Sequence, residues 1–278
     1  MCRRLAKQHY ENFLVGTIFL PASLRQDFFN VYAYCRTADD FADLSASPEE
    51  ALRRLQHWRA GLAECFQLDM GWTTTPDPIF VALRDTVARH HLPMKPFCDL
   101  LSAFEQDQQT VTYKTFDQLL DYCQRSANPV GRIVLRLAAI DDPASDELSD
   151  SICTGLQLAN FWQDVSRDLM IGRIYIPSED LTRFAVGPQQ LSASRSDLAM
   201  KRLVRFQVER TAAFFDRGRP LIERVPRWLA RDIKLFICGG LATLQAIKRA
   251  DFEVLRRRPV VSKWRQFWLL SQAAIGKL

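Results

Sequence analysis

Two stretches, Tyr32-Ala33-Tyr34-Cys35-Arg36-Thr37-Ala38-Asp39-Asp40-Phe41-Ala42-Asp43 and Gln157-Leu158-Ala159-Asn160-Phe161-Trp162-Gln163-Asp164-Val165-Ser166-Arg167-Asp168, decide how this chain folds. In the first, Tyr32, Arg36, Asp39 and Asp43 follow one another by four, three and four residues; in the second, Gln157, Asn160, Asp164 and Asp168 follow by three, four and four. At about 100° per residue, each series lies along one face of an α-helix. Polar stripes are often solvated, but the neighbours here are Tyr34, Cys35 and Phe41 in one case and Leu156, Leu158, Phe161 and Trp162 in the other. Flanks that apolar place both rows inside the protein. Facing carboxylates repel, and a divalent cation is the simplest remedy. Cations held in this way can grip a diphosphate, so the expected chemistry is diphosphate departure. A lone Asp-Asp-x-x-Asp is more often an exposed acid patch or a cap remnant. Two rows, the second preceded in register by the amides Gln157 and Asn160, change that balance.

Outward from these rows, helix starts recur and alternating strand patterns are nearly absent. Ser23-Leu24-Arg25-Gln26, Ser47-Pro48-Glu49-Glu50 and Thr115-Phe116-Asp117-Gln118 each fit a capping box, and Asp77-Pro78 and Asp142-Pro143 mark further starts. Apolar residues recur at helical spacing through Phe28, Val31, Tyr32, Cys35, Ala38 and Ala42, and again near 195–218, 226–250 and 260–275. The pattern predicts an all-α chain: a helical bundle around a central cavity, formed as one domain over residues 1–278.

With 278 residues, 47% of them hydrophobic, the chain can bury a core that encloses a ligand cavity. The formal net charge of +5 is uneven, since residues 195–278 hold 19 basic against 7 acidic side chains. Such a tail suits an anionic lipid or a phosphorylated substrate. Nucleic acid is disfavoured, because these arginines are spread among Leu, Val, Phe and Trp and no reader motif is present. Seven scattered cysteines without a Cys-x-x-Cys pair point to reduced thiols and a cytoplasmic setting, and residues 1–7 carry charge with no apolar signal core behind them. The uncharged run from Leu235 to Ile247 falls short of the roughly 20 residues that span a bilayer, so membrane contact is expected to be peripheral. His9, His57, His90 and His91 lack metal-ligand spacing, and neither a nucleophile elbow nor a complete dinucleotide fingerprint is found.

The two quoted stretches resemble the paired signatures of the squalene/phytoene synthase family. The resemblance covers nearly the whole chain and continues in Ser126-Ala127-Asn128-Pro129-Val130-Gly131 and Gly172-Arg173-Ile174-Tyr175-Ile176-Pro177. Within the family the chain looks most like the bacterial hydroxysqualene synthases of hopanoid biosynthesis. The features are His9-Tyr10-Glu11-Asn12-Phe13, Gly239-Gly240, and Arg256-Arg257-Arg258-Pro259 with Ser262-Lys263-Trp264. Condensing members usually have Lys-Ser-Phe where Glu11-Asn12-Phe13 stands, a Tyr where Gly240 stands, and more acid in the second signature than Gln163-Asp164 and Arg167-Asp168 provide. That departure favours a substrate with one diphosphate.

The resemblance implies an isoprenoid synthase fold and a Mg²⁺-dependent reaction on presqualene diphosphate, a prenyl diphosphate, with water capture of the rearranged cation. Asp39, Asp43, Asp164 and Asp168 would hold the metal, with Asp40 and Asn160 beside them. Arg36 and Arg257 would contact diphosphate, alongside Gln157 and Asn160. Tyr10, Phe13 and Tyr32 would line the cavity and face the cation, as Phe161 and Trp162 could; for most of these aromatics core packing is the competing role. Glycine in a helix costs about 1 kcal/mol each, so Gly239-Gly240 needs a packing reason, and a prenyl tail against that bare backbone would be one. Water delivery stays open among Gln157, Asn160 and Tyr10. The nearer alternative is condensation of two prenyl diphosphates to presqualene diphosphate, phytoene or dehydrosqualene products; a more distant one is a non-catalytic assembly or lipid-binding relative. Neighbouring enzymes of the squalene pathway are possible partners on this reading.

Overall fold

The chain runs through α1 (Arg25–Leu44), α2 (Pro48–Phe66), α3 (Pro78–His90), α4 (Met94–Gln106), α5 (Phe116–Ser126), α6 (Asn128–Leu137), α7 (Pro143–Met170), α8 (Ser178–Arg183), α9 (Pro188–Leu191), α10 (Leu198–Gly218) and α11 (Arg227–Arg249), with a 3-10 turn at Arg219–Glu223. This computed structural model describes residues 1–2, 19–73, 75–109, 112–262, 264, 268 and 271–272. Among them there is no strand; an isolated bridge between Thr112 and Ile174 ties the segment after α4 to the one after α7. No helix of the described residues is long and apolar enough to cross a membrane.

The helix starts follow the caps written in the sequence. The Ser47 hydroxyl accepts from the Glu50 amide, Thr115 from Gln118 at 3.2 Å, Asp77 from Ile79 at 2.7 Å and Asp142 from Ser145 at 2.9 Å. The box at Ser23 does not form. A turn in which the Leu24 amide donates to Pro21 O at 3.0 Å leads into α1, Leu24 stands at the N-cap in helical conformation, and no side chain caps. The segment expected near 260–275 lies largely outside the described residues.

At 28 residues, α7 is about 42 Å long and packs against α10, α6 and α11. Its buried face, including Leu158 and Trp162, gathers one apolar cluster with α10 and α11; α1, through Tyr34 and Ala38, gathers a second with α2, α3 and α4. α6 joins the two by turning Leu135 to the first and Ile133 and Leu137 to the second. Asn128 and Gly131 explain why α6 can lie so close to α7. Asn128 Oδ1 accepts from buried Thr154 Oγ1 at 2.9 Å, and a Cβ at Gly131 would stand 2.3 Å from Ser149 Oγ.

The two glycines of α11 do different things. A Cβ at Gly240 would fall 2.2 Å from Phe215 Cζ, so this glycine admits an aromatic ring of the core, not a substrate tail. At Gly239 a Cβ would meet nothing within 4 Å. Gly240→Ala should therefore destabilise by about 1–3 kcal/mol through overpacking, whereas Gly239→Ala should stabilise by up to about 1 kcal/mol through helix propensity. Urea unfolding of the two variants checks this; equal shifts would contradict the packing described.

Candidate active site

The two acid rows end in the last turns of α1 and α7, where each helix already presents the negative end of its dipole. α1 has no basic residue in its last turn and α7 has only Arg167, so compensation must come from elsewhere. Arg36 donates from Nη1 to Asp39 Oδ2 at 2.9 Å and from Nη2 to Asp40 Oδ1. Burial opposes the Arg36 charge, yet the hydrogen bond to Asp40 and the charges of Asp39 and Asp40 raise its pKa overall. Its Nε is buried without a hydrogen-bond acceptor, a donor left over in the fork. Arg258 grips Asp164 through Nε and Nη2, the latter 3.0 Å from Oδ2, and reaches Gln163 Oε1 at 2.8 Å. Gln163 Nε2 in turn donates to Pro259 O at 2.7 Å, which fastens residues 256–262 to α7.

A third arginine arrives by backbone geometry. Gly172 takes φ +76°, the Arg173 amide donates to Asp168 O at 2.8 Å, and the Gly172 amide donates to Leu169 O at 3.1 Å. This closure of α7 returns the chain toward the acid row, and only glycine adopts such a φ without strain. Burial opposes the charge of Arg173, but Tyr175, Asp107, Asp43 and Tyr122 around it raise its pKa. Arg173 also lowers the pKa of Asp168, which burial first and Asp164 second push up to about 7. Asp107, just past α4, accepts from the Tyr122 hydroxyl at 2.9 Å. Burial pushes Asp107 up to about 6; the Tyr122 hydrogen bond and Arg173 work against this, while Asp43 and Asp39 add to it. Arg173 is thus within electrostatic reach of Asp43 on α1 and of Asp168 on α7, so the two rows face one space. Beside it, Tyr175 stacks on Phe161 at 3.9 Å between ring centres.

Beneath the rows lies an apolar cavity of about 430 Å³. Phe28, Val31, Tyr32 and Cys35 line it from α1, Ile152, Cys153 and Leu156 from α7, and Asp232 and Phe236 from α11. On α1 the lining residues precede the acids, and Phe28 lies 11 residues before Asp39, a rise of about 16 Å. A charged mouth and an apolar interior therefore share the same two helices.

The structure brings together Asp39, Asp40, Asp43, Asp164, Asp168 and Arg36, and places Tyr32 in the cavity wall. Gln157 is half-buried and Asn160 exposed on the same α7 face. Tyr10 and Phe13 lie outside the described residues. It is Arg258, not Arg257, that touches the second row; Arg257 lines a separate groove between α11 and residues 257–262. Trp162 is core, its Nε1 donating to Thr211 Oγ1 at 2.7 Å. Sequence reasoning passed over Asp107, Arg173 and Arg258. Gly172 before Arg173 carried a usable signal, because it marks a helix end that turns the next side chain back; Asp107 carried none.

Among the described residues no three His, Cys, Asp or Glu side chains are gathered tightly enough to close round one ion. Asp39, Asp40 and Asp164 are instead held by arginines. The donor chemistry nevertheless fits Mg²⁺, since every candidate ligand offers hard oxygen. Burial first and the Asp164 charge second hold the Asp168 carboxyl raised against the pull of the arginines.

Comparison with known proteins agrees with this geometry. The family model for squalene/phytoene synthase matches residues 6–265. The crystal structure of squalene synthase HpnC from Alicyclobacillus acidocaldarius superposes with a TM-score of 0.85 at 42% identity, over 90% of this chain and 93% of that one. The hydroxysqualene synthase of Sinorhizobium fredii is 32% identical over 88% of this chain and 82% of its own length. The 15-cis-phytoene synthase of Synechococcus elongatus is 28% identical over 99% of this chain and 91% of its own. The chain belongs to the squalene/phytoene synthase family.

Proposed function

We propose that this protein ionises presqualene diphosphate and delivers the rearranged cation to water, giving hydroxysqualene and diphosphate. The observation that carries the reading is the pair of acidic helix ends facing one mouth above an apolar cavity. Likeness to the hydroxysqualene synthase and to squalene synthase HpnC supports the choice of substrate.

The residues divide the work by depth. Asp39, Asp43, Asp164 and Asp168, with Asp40 and Asn160 beside them, would hold Mg²⁺, which when bound supplies Lewis-acid charge to the departing diphosphate. Arg36, held at Asp39 and Asp40 through its two terminal nitrogens, would bring a permanent planar cation to the diphosphate. Arg173, within electrostatic reach of Asp43 and Asp168, would balance charge as the leaving group accumulates it. Below, the apolar wall would exclude bulk water from the cation until rearrangement is complete, and Tyr32 in that wall would supply an aromatic ring beside it. Arg258 would have to share or release Asp164 for that carboxylate to serve the metal, so residues 256–262 are positioned to respond when the mouth fills.

Likeness to a phytoene synthase over almost the entire chain favours a second reading, condensation of two prenyl diphosphates at the same mouth. The two separate in a direct assay. With Mg²⁺ and no reductant, presqualene diphosphate should yield hydroxysqualene, and farnesyl diphosphate alone should yield no C30 product; a C30 product from farnesyl diphosphate would transfer the assignment to the condensing reading. Asp43→Ala and Asp164→Asn should each lower diphosphate release about 100-fold or more, the scale of several kcal/mol of transition-state charge stabilisation. Wild-type release from either variant would remove the acid rows from the chemistry.

A further inference from the structure

Asp232 is the one acidic residue among the described residues that line the apolar cavity. It stands on α11 one helical turn after Trp228, whose ring meets Phe28 edge-on at 6.4 Å and closes the end away from the acid rows. Asp232 is 2% exposed, and its Oδ1 has no hydrogen-bond partner. No Lys, Arg or His among the described residues lines this cavity. Among the described residues the titratable groups that line the cavity with it are Tyr32 and Cys35 from α1 and Cys153 from α7, with Ser149 as a neutral polar neighbour; α6 and the 3-10 turn present apolar side chains. Burial raises the Tyr32 hydroxyl and pushes both thiols up to about 12, so all three stay neutral near pH 7.

A carboxylate with an oxygen buried and unpartnered in an apolar cavity must be hydrated there or protonated. A cavity of this volume admits water to Oδ1 while it is empty. An apolar tail that fills the space removes the water and offers no hydrogen bond in return, which disfavours the ion further. We propose that Asp232 is a specificity-determining residue that couples seating of the substrate's apolar tail to uptake of one proton, so that the tail lies against a neutral carboxylic acid. The balance is simple: the carboxylate takes a proton from solvent as the tail enters and returns it when product leaves. The proposal rests on the reading that a prenyl tail occupies this cavity. Burial alone already pushes the Asp232 carboxyl up to about 7, within range of such a step.

Calorimetry on the full-length protein with Mg²⁺ tests it, using farnesyl thiodiphosphate as the tailed probe and isopentenyl diphosphate as a short-tailed probe with a similar head group. Affinities from pH 6 to 9, in two buffers of different ionisation enthalpy, count the protons. The advantage of the long tail should shrink above pH 7, approaching tenfold per pH unit, with about one proton taken up only with the long-tailed probe. Asp232→Asn and Asp232→Leu should abolish both effects while binding the long tail at pH 9 at least as tightly as wild type. The stability readout has a fixed sign. A carboxyl raised in the folded state weakens the fold as pH climbs from its unfolded value near 4 through about 7, so wild type should lose stability relative to Asp232→Asn across that window. Absence of tail-dependent proton uptake in wild type, or an unchanged pH slope in Asp232→Asn, would overturn the coupling alone. If wild type binds both probes equally, the cavity is not a tail site and the underlying reading falls with it.

Discussion

Negative charge gathered at two helix C-termini is the constraint around which this molecule is arranged. Carboxylates there add to the dipoles of α1 and α7 where chemistry that stabilised only the fold would have placed lysine or arginine. The fold answers with cations drawn from three places: Arg36 from within α1, Arg173 from the turn that ends α7, and Arg258 from the segment after α11. None of these is a distant surface ion pair. Arg36 clamps the acids of its own helix, while Arg173 and Arg258 each bring a separate element onto the mouth, so the charge gathered there also fixes how those elements meet. Asp168 and Asp107 remain raised despite these cations, chiefly because both are buried and secondly because other carboxylates lie near them.

How far the sequence could be read follows from which forces act locally. The caps at Ser47, Asp77, Thr115 and Asp142 are satisfied within three residues, so the text of the chain contains them in full. Ser23 fails because the chain turns at Pro21–Leu24, with the Leu24 amide donating to Pro21 O, so that Leu24 and not Ser23 takes the N-cap position. The acid rows were readable because helical periodicity alone aligns Asp39 with Asp43 and Asp164 with Asp168. Long-range neighbours were not readable. Whether Arg257 or Arg258 reaches Asp164 depends on how residues 256–262 leave α11, and neither spacing nor composition encodes that path. Gly239 and Gly240 look alike in sequence, yet only one faces Phe215, because successive residues on a helix point about 100° apart. Asp232 was hidden by its surroundings: in a helix with basic neighbours it reads as one more solvated acid.

Membership in a family that includes hydroxysqualene, presqualene diphosphate and phytoene synthases raises the question of which part of the site separates those outcomes. On the proposed reading the acid mouth does not, for each such reaction would begin with diphosphate leaving an allylic or cyclopropylcarbinyl carbon, and the same carboxylates and arginines would serve that step. What differs is the fate of the cation and the size of the tails behind it. Both are governed by the cavity wall. A wall made only of Leu, Val and Phe offers a cation no nucleophile and a tail no resistance. Tyr32 near the mouth and Asp232 near the far end break that uniformity at two depths, so selectivity is better sought along the cavity than at its entrance.

Stability supplies the last step. Burying a carboxyl without a partner costs about 1–3 kcal/mol, a large share of a typical folding free energy. Nothing in the packing of α11 repays that cost: a leucine of similar size at position 232 would join Leu229 and Ile233 in the apolar cluster. A group that weakens the fold and touches no other charge persists for what it does when the cavity is filled, not for what it contributes when empty. The same logic separates it from Asp27, equally buried, whose carboxylate receives Thr86 Oγ1 at 2.9 Å and Arg89 Nη1 at 2.6 Å and so ties α1 to α3. Two buried aspartates, one fully partnered and one orphaned, mark the difference between an acid that holds helices together and an acid that waits for a ligand.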